Sequence, residues 1–370
     1  MKFDIDRDVL AAPLKQAVKL STKNAVPILS AVLIETTDAG LRISATDMTA
    51  MYQITIIPND IDEDGAAALP AKEFLQIVEA MPAGNLEITV THGECTVQNG
   101  RSKLTYPTMN AEDFPDIAHA DGSGITLSGK AIKRAIAQTA HAALKEKPGE
   151  ISPLQGIYIE GHKEVVKFTA ANRIRMAQTT EKIESDEYTG VRSVIPATAA
   201  KWLRSALTDE ELTATFSPAW ATFTQGNMIC SARLLSDNYP NVLHVLAHKK
   251  IATVLTNKNS LLQSLERVSI TATKQSESVI VRMDIGQEIR ISGKSDAGTA
   301  EDFVAVHKFE GDELTLAANA LFLIDALQAI DNELVDIKFC GEGKPIIITG
   351  ADENDNVQGI SPARKALIMR

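Results

Sequence analysis

Cysteine is scarce in this chain of 370 residues, with Cys95, Cys230 and Cys340 making up the whole set. They lie far apart, show no CxxC spacing and have no nearby pair of histidines. A disulfide framework or zinc site is therefore not expected, and the three read as small apolar strand residues. Histidine is sparse too. Its one i,i+4 pair, His244 and His248, sits in an apolar run beside Pro240 that does not suit a metal-binding helix. No stretch approaches the roughly 18 apolar residues of a membrane span. Met1-Lys2-Phe3-Asp4-Ile5-Asp6 alternates like a strand and is no signal-peptide core, so a cytoplasmic protein is expected. The chain has no Walker loop, GxGxxG, GxSxG or HExxH. Asp47 and Asp113 read as turn or cap residues, and no catalytic group, metal or cofactor is expected.

One pattern recurs. Leu69-Pro-Ala-Lys-Glu-Phe-Leu-Gln-Ile-Val-Glu-Ala-Met81 has counterparts in Ile195-Pro-Ala-Thr-Ala-Ala-Lys-Trp-Leu-Arg-Ser-Ala-Leu207 and Leu316-Ala-Ala-Asn-Ala-Leu-Phe-Leu-Ile-Asp-Ala-Leu-Gln328. Each is an aliphatic residue, then Pro-Ala or Ala-Ala, then a short amphipathic helix. The period is about a third of the chain, which is too long for a solenoid unit and right for a small domain used three times.

The segments between these helices agree. In the first third a strand at Lys2–Ile5 leads to a helix over Arg7–Leu20, which Pro13 is expected to kink. Strands follow at Ile28–Glu35, Leu41–Ala45 and Met51–Ile56, and after the repeated helix at Leu86–Val90, Cys95–Gln98 and Ser102–Tyr106. The second third has a strand, then a helix from Gly129 to about Lys145, then strands on either side of its repeated helix. The last third repeats the order and ends in a strand at Lys365–Met369. The strands mostly alternate, as antiparallel sheets with one wet face do. The expected fold class is α+β, in three similar domains of two helices and antiparallel sheets, spanning residues 1–122, 123–247 and 248–370.

The net charge of −11 argues at first against a nucleic-acid partner. The six predicted helices nevertheless carry +7 together, which leaves −18 on the remainder. Basic helices on an acidic body suit a protein that holds duplex backbone on one surface and repels it elsewhere. Aromatic residues, 5% of the chain, do not interleave with these cations, so stacking on single strands is not indicated. Nothing resembles a base-reading helix or a zinc finger.

Met1-Lys-Phe3, Val26-Pro-Ile-Leu29, Leu41-Arg-Ile-Ser-Ala-Thr-Asp47, Leu69-Pro-Ala-Lys72 and Ala111-Glu-Asp-Phe-Pro-Asp116 occur in that order, followed by Leu154-Gln-Gly-Ile157, Ser193-Val-Ile-Pro196, Tyr239-Pro240, Lys344-Pro345 and Ala366-Leu-Ile-Met369. In order and spacing these segments resemble the bacterial DNA polymerase III β subunit, the sliding-clamp family, along the whole chain. The resemblance implies a DNA clamp fold closed as a head-to-tail homodimeric ring, with helices lining the hole. It implies a non-catalytic processivity factor that encircles double-stranded DNA. The replicative polymerase, clamp loader and repair polymerases would bind it through short peptides carrying a Gln and spaced apolar residues.

Carried over by position, Lys15, Lys19, Lys23, Lys72, Lys133, Arg134, Lys145, Lys147, Lys201, Arg204 and Lys274 would face or flank DNA. Leu154, Ala171, Ile174, Arg175, Met176, Pro240, Val245, Pro345, Leu367, Ile368 and Met369 would line the peptide groove. Leu104, Tyr106 and Ile270 would form the dimer contact. The chain departs from the family at Ala170-Ala-Asn-Arg-Ile-Arg-Met-Ala177, where Ala171 and Ile174 replace a usual Thr and His, and it stops at Arg370. A scaffold of the same fold that does not load, and an enzyme with an inter-domain site, are the competing readings.

Overall fold

The computed structural model describes residues 1–21, 26–122, 124–147, 149–162, 165–182, 190–236, 238–242, 248–275, 278–296, 298–352 and 366–369. The first repeat runs β1 (Lys2–Asp6), α1 (Arg7–Leu20), β2 (Ala31–Thr37), β3 (Gly40–Thr46), β4 (Ala50–Ile56), β5 (Asp60–Glu63), β6 (Ala66–Pro70), α2 (Ala71–Ala80), β7 (Asn85–Thr91), β8 (Glu94–Asn99) and β9 (Ser102–Pro107). The second runs β10 (Gly124–Ser128), α3 (Gly129–Thr139), β11 (Gly156–His162), β12 (Val165–Ala171), β13 (Arg175–Lys182), β14 (Arg192–Pro196), α4 (Ala197–Ala206), β15 (Glu211–Phe216), β16 (Trp220–Gln225) and β17 (Met228–Arg233). The third runs β18 (Ala252–Asn257), α5 (Lys258–Ser269), β19 (Thr273–Gln275), β20 (Ser278–Ile285), β21 (Glu288–Ser295), β22 (Gly298–Gly311), β23 (Leu314–Asn319), α6 (Ala320–Gln328), β24 (Leu334–Phe339), β25 (Ile346–Ala351) and β26 (Ala366–Met369).

The helices start where local chemistry starts them. Asp6 caps α1, its Oδ1 accepting from Asp8 N at 2.8 Å, and Asn257 caps α5, accepting from Ser260 N. Pro13 lies inside α1 on its buried face, and the helix runs on through it to Leu20. Three expectations need correction. Ile28–Ser30 belongs to a 3-10 turn opened by Pro27, closed by Ser30 Oγ donating to Pro27 O, and the strand begins only at Ala31. Helix α3 stops at Thr139, whose hydroxyl donates to Ala135 O, and Leu144 N has left the helix to bond Leu154 O. Lys145 and Lys147 therefore sit in a loop. Leu316-Ala-Ala-Asn319 is strand, and α6 starts at Ala320 with Asn319 as its cap. The true counterparts of Pro70-Ala71 and Pro196-Ala197 are Asn319-Ala320. Asn supplies by side-chain capping the start that proline supplies by its missing N–H in the other two copies.

Every strand pairing is antiparallel, in sheets of 5, 8 and 13 strands. The chain forms two compact units, Met1–Lys133 with Thr198–Leu235, and Arg134–Ala197 with Ser236–Arg370. The division cuts the second repeat because sheets continue from one repeat into the next. In the first unit β4 pairs with β17, and in the second β13 pairs with β26. The first unit buries Phe3, Leu10, Leu14, Ile34 and Phe74 between helices and sheets; the second buries Phe168, Leu265, Leu327 and Phe339.

Candidate nucleic-acid interface and peptide groove

The candidate cations fall into two kinds. On α1, Lys15 Nζ lies 3.0 Å from Glu79 of α2, so its charge is matched. Lys19, one turn on, donates to neutral groups, Gln16 Oε1 at 2.9 Å and Ser205 Oγ of α4 at 3.3 Å. Lys133 is 2.7 Å from Asp209, and its hydrogen bond holds that exposed carboxyl below the usual carboxylate range. Arg134 makes two contacts to Glu181 of β13, whose side chain is 5% exposed. A buried carboxylate needs a counter-charge, so Arg134 belongs to the fold. In α5, Lys258 donates to Ile330 O at 2.7 Å and Arg267 pairs with Asp302. Helix α6 has no cation.

Cations with no acidic partner remain at Lys19, Lys72, Lys201 and Arg204 among the described helical residues of the first unit; in the second unit Lys258 is held by a backbone carbonyl alone, and Lys130 shares the field of Asp209 with Lys133. Helix α4 contains no acid at all, so Lys201 and Arg204 form its exposed face while Trp202 turns inward, edge-on to Tyr52 at 6.2 Å. Lys130 was not singled out from the sequence. Lys145 and Lys147 are exposed on their loop, and Lys274 is exposed on β19. Lys23 lies outside the described residues.

The groove candidates are brought together only in part. Ala171, Met176, Cys340 and Ile347 form one buried apolar cluster with Leu154 and Val242 packed against it. Ala171 and Met176 are thus floor, at 1% and 3% exposure, while Ile174 is 47% exposed at the turn. Asn172 Oδ1 fixes that turn by accepting from Ile174 N and Arg175 N. Arg175 is 2.5 Å from Asp325 and stacks over Phe322, 4.6 Å from the ring centroid. Pro345 is buried and accepts at its carbonyl from Cys340 N, and Pro240 is exposed. Val245 lies outside the described residues. The backbone of Leu367, Ile368 and Met369 forms β26, pairing β13 on one side and β25 on the other.

Beside this cluster the sequence reading missed a cavity of about 60 Å³, lined by Leu316, Asn319, Phe322, Lys344 and Ile346 among others. Asn319 and Phe322 lie some 150 residues from Arg175 in sequence, and only the misaligned third repeat hinted at their place.

Two of the dimer candidates lie on an edge strand and the third at a helix end. Leu104, 42% exposed, is on β9, which closes its sheet and among the described residues pairs only with β8. Tyr106 packs its ring on Phe74, and Ile270 is 73% exposed just past α5. In β22, Gly298–Ala305 pairs with β21 and residues 306–311 with β18, leaving one side of the first half open. Phe303, 53% exposed there, was not anticipated. Among the described residues no three His, Cys, Asp or Glu side chains are placed to hold a metal, and no helix is long and apolar enough to cross a membrane.

Comparison with known proteins gives a consistent result. Family models for the DNA polymerase III beta subunit match its N-terminal domain at residues 1–118, central domain at 126–241 and C-terminal domain at 244–364. A beta sliding clamp of Staphylococcus epidermidis is 25% identical, over 98% of this chain and 99% of that protein. That of Bacillus subtilis is 24% identical over 98% and 100%. The crystal structure of the beta subunit from DNA polymerase of Streptococcus pyogenes superposes with a TM-score of 0.90 at 25% identity, covering 100% of this chain and 99% of that one. With nearly the whole length matched by three consecutive models, the chain belongs to the DNA polymerase III beta subunit family.

Proposed function

We propose that this protein is a DNA sliding clamp, a non-catalytic subunit that encircles duplex DNA and tethers polymerases and other replication proteins to it. The observation that carries the reading is the placement of positive charge without an acidic partner on Lys19, Lys72, Lys201 and Arg204, on the helices of an acidic chain. Such contacts hold phosphates without reading sequence and are weak enough singly to permit sliding. Domains ending near 122 and 247 are supported by the spans of the three family models.

Closure into a head-to-tail dimer is supported by the internal repeat. The β4–β17 pairing sets Gln53 opposite Ile229 and Tyr52 opposite Cys230. Its counterpart between copies joins β9 of one to the open half of β22 of the other. Matching the hairpins Thr46↔Met51 with Lys294↔Thr299, and Gln225↔Met228 with Asn99↔Ser102, puts Lys103 opposite Glu301 and Leu104 opposite Ala300. Opposite charges and an apolar pair in register favour this junction. Two such junctions close the ring.

A groove for partner peptides is supported by the apolar cluster at Met176 and Ile347, the exposed Ile174 and the adjoining cavity. The deciding experiment loads the protein onto nicked circular DNA and then linearises it. Retention on the circle and loss on cutting is expected; equal retention on both forms refutes encirclement.

A further inference from the structure

The small cavity beside the groove has a side-chain chemistry that selects its occupant. Its apolar walls are Leu316, Phe322 and Ile346, and its polar side chains are Asn319 and Lys344. Asn319 is the cap of α6. Its Oδ1 already accepts from Leu321 N at 3.1 Å and Val279 N at 3.2 Å, which fixes the amide orientation. Nδ2 is buried and makes no hydrogen bond. A buried amide N–H group without a partner is costly and is normally satisfied. Lys344, exposed at the mouth, has no carboxylate partner among the described residues. The neighbouring Arg175 is neutralised by Asp325, and Glu342, in the same hairpin as Lys344, is exposed and does not line the cavity. Both free side-chain groups of the cavity are therefore donors, and one is cationic.

We propose that this cavity takes a side-chain carboxylate, so that the partner peptide presents an acidic residue here where the family's usual peptide presents a glutamine. The inference rests on the peptide-groove reading above. A volume of about 60 Å³ has room for the carboxylate end of a Glu side chain. A glutamine would have one carbonyl oxygen to offer Asn319 and Lys344 and would leave its NH2 without an acceptor among the cavity's side chains, whereas a carboxylate accepts with both oxygens and matches the ammonium charge. The edge of β23, which among the described residues pairs only with β20, is available to the peptide main chain and does not discriminate between the two.

The test uses the full-length protein and fluorescein-labelled peptides amidated at the C-terminus, each with Leu and Phe anchors and with Glu, Gln or Ala at the position preceding them. Anisotropy is expected to show Glu binding roughly tenfold tighter than Gln, with the advantage shrinking as salt rises. Lys344→Met, at an exposed position, should bring the Glu-to-Gln ratio to within about twofold. Asn319→Asp keeps the capping acceptor, replaces the donor by an acceptor and should make Gln the better ligand. Equal or tighter binding of Gln by the unaltered protein overturns the inference and leaves the groove standing. If none of the peptides binds, the groove reading falls and the inference with it.

Discussion

At the scale of single residues, the ion pairs separate cations that hold the fold from cations free for a ligand. Arg134 and Lys133 are neighbours on α3 and look equivalent in sequence, yet Glu181 is buried and Asp209 is exposed. Arg134→Glu should destabilise by about 2 kcal/mol, below the 3–5 kcal/mol typical of a fully buried broken pair because the guanidinium is 45% exposed. Lys201→Ser with Arg204→Ser should leave stability within about 0.5 kcal/mol. That double variant should reduce the slope of log affinity against log salt by about 0.9 per lost phosphate contact. Thermal unfolding and a salt titration of DNA binding check the two. Cys95 offers a pH readout. Burial pushes its thiol up to about 11 from an ordinary 9.0. The folded state thus keeps its proton where the unfolded chain gives it up, and the stabilising contribution, intact below pH 9, is lost as pH rises from 9 towards 11. Folded protein should resist iodoacetamide at this site at pH 9, and denatured protein should react.

At the scale of elements, most of the architecture was legible. Alternation located most strands but not β5, β6, β14, β19 or β23, and the Pro-Ala starts located α2 and α4. The errors have physical causes. Residue type aligns Leu316 with Leu69, but capping by Asn319 moves the helix start two residues further on, to Ala320. Helix α3 was extended to Lys145 on apolar periodicity, while the Thr139 hydroxyl and the Leu144–Leu154 bond end it earlier. Short, charged β5 escaped notice because Asp60–Glu63 shows no alternation of buried residues. The candidate groove residues came only from family resemblance, since Leu154, Arg175 and Pro345 lie in segments far apart in sequence, and Phe322 and Ile347 were not among them. The C-terminal strand proves to be an internal member of a 13-stranded sheet. Deleting Leu367–Arg370 should therefore abolish peptide binding and also lower the melting temperature, because β13 and β25 each lose a neighbour. Phe322→Ala is the cleaner probe of the groove; it should weaken peptide binding while the melting temperature moves less than in the deletion.

At the scale of the whole molecule, a net charge of −11 coexists with a surface for a polyanion because the free cations are gathered on a few helices. Helix α6 contributes none and α5 only Lys258, which is tied to the Ile330 carbonyl, so charge reversals there should have little effect on DNA retention compared with reversals on α4. Closed circles should stay bound at salt concentrations that strip the protein from linear DNA, since a topological link has no salt dependence while the ring stays shut. Leu104→Asp should yield monomers in sedimentation at micromolar concentration.

If the proposed junction holds, the unpaired flank of β9 and the unpaired half of β22 are two unlike docking ends on each chain. Such a unit polymerises without limit unless geometry returns the second end to the first. Two crippled proteins, one carrying Leu104→Asp and the other Ile270→Asp, should each be monomeric alone. Mixed, they retain one intact pair of ends between them and should form a heterodimer joined at a single seam, an open crescent. That crescent should slip onto circular DNA without a loader and fall off as readily, which isolates closure from contact as the source of persistence on DNA.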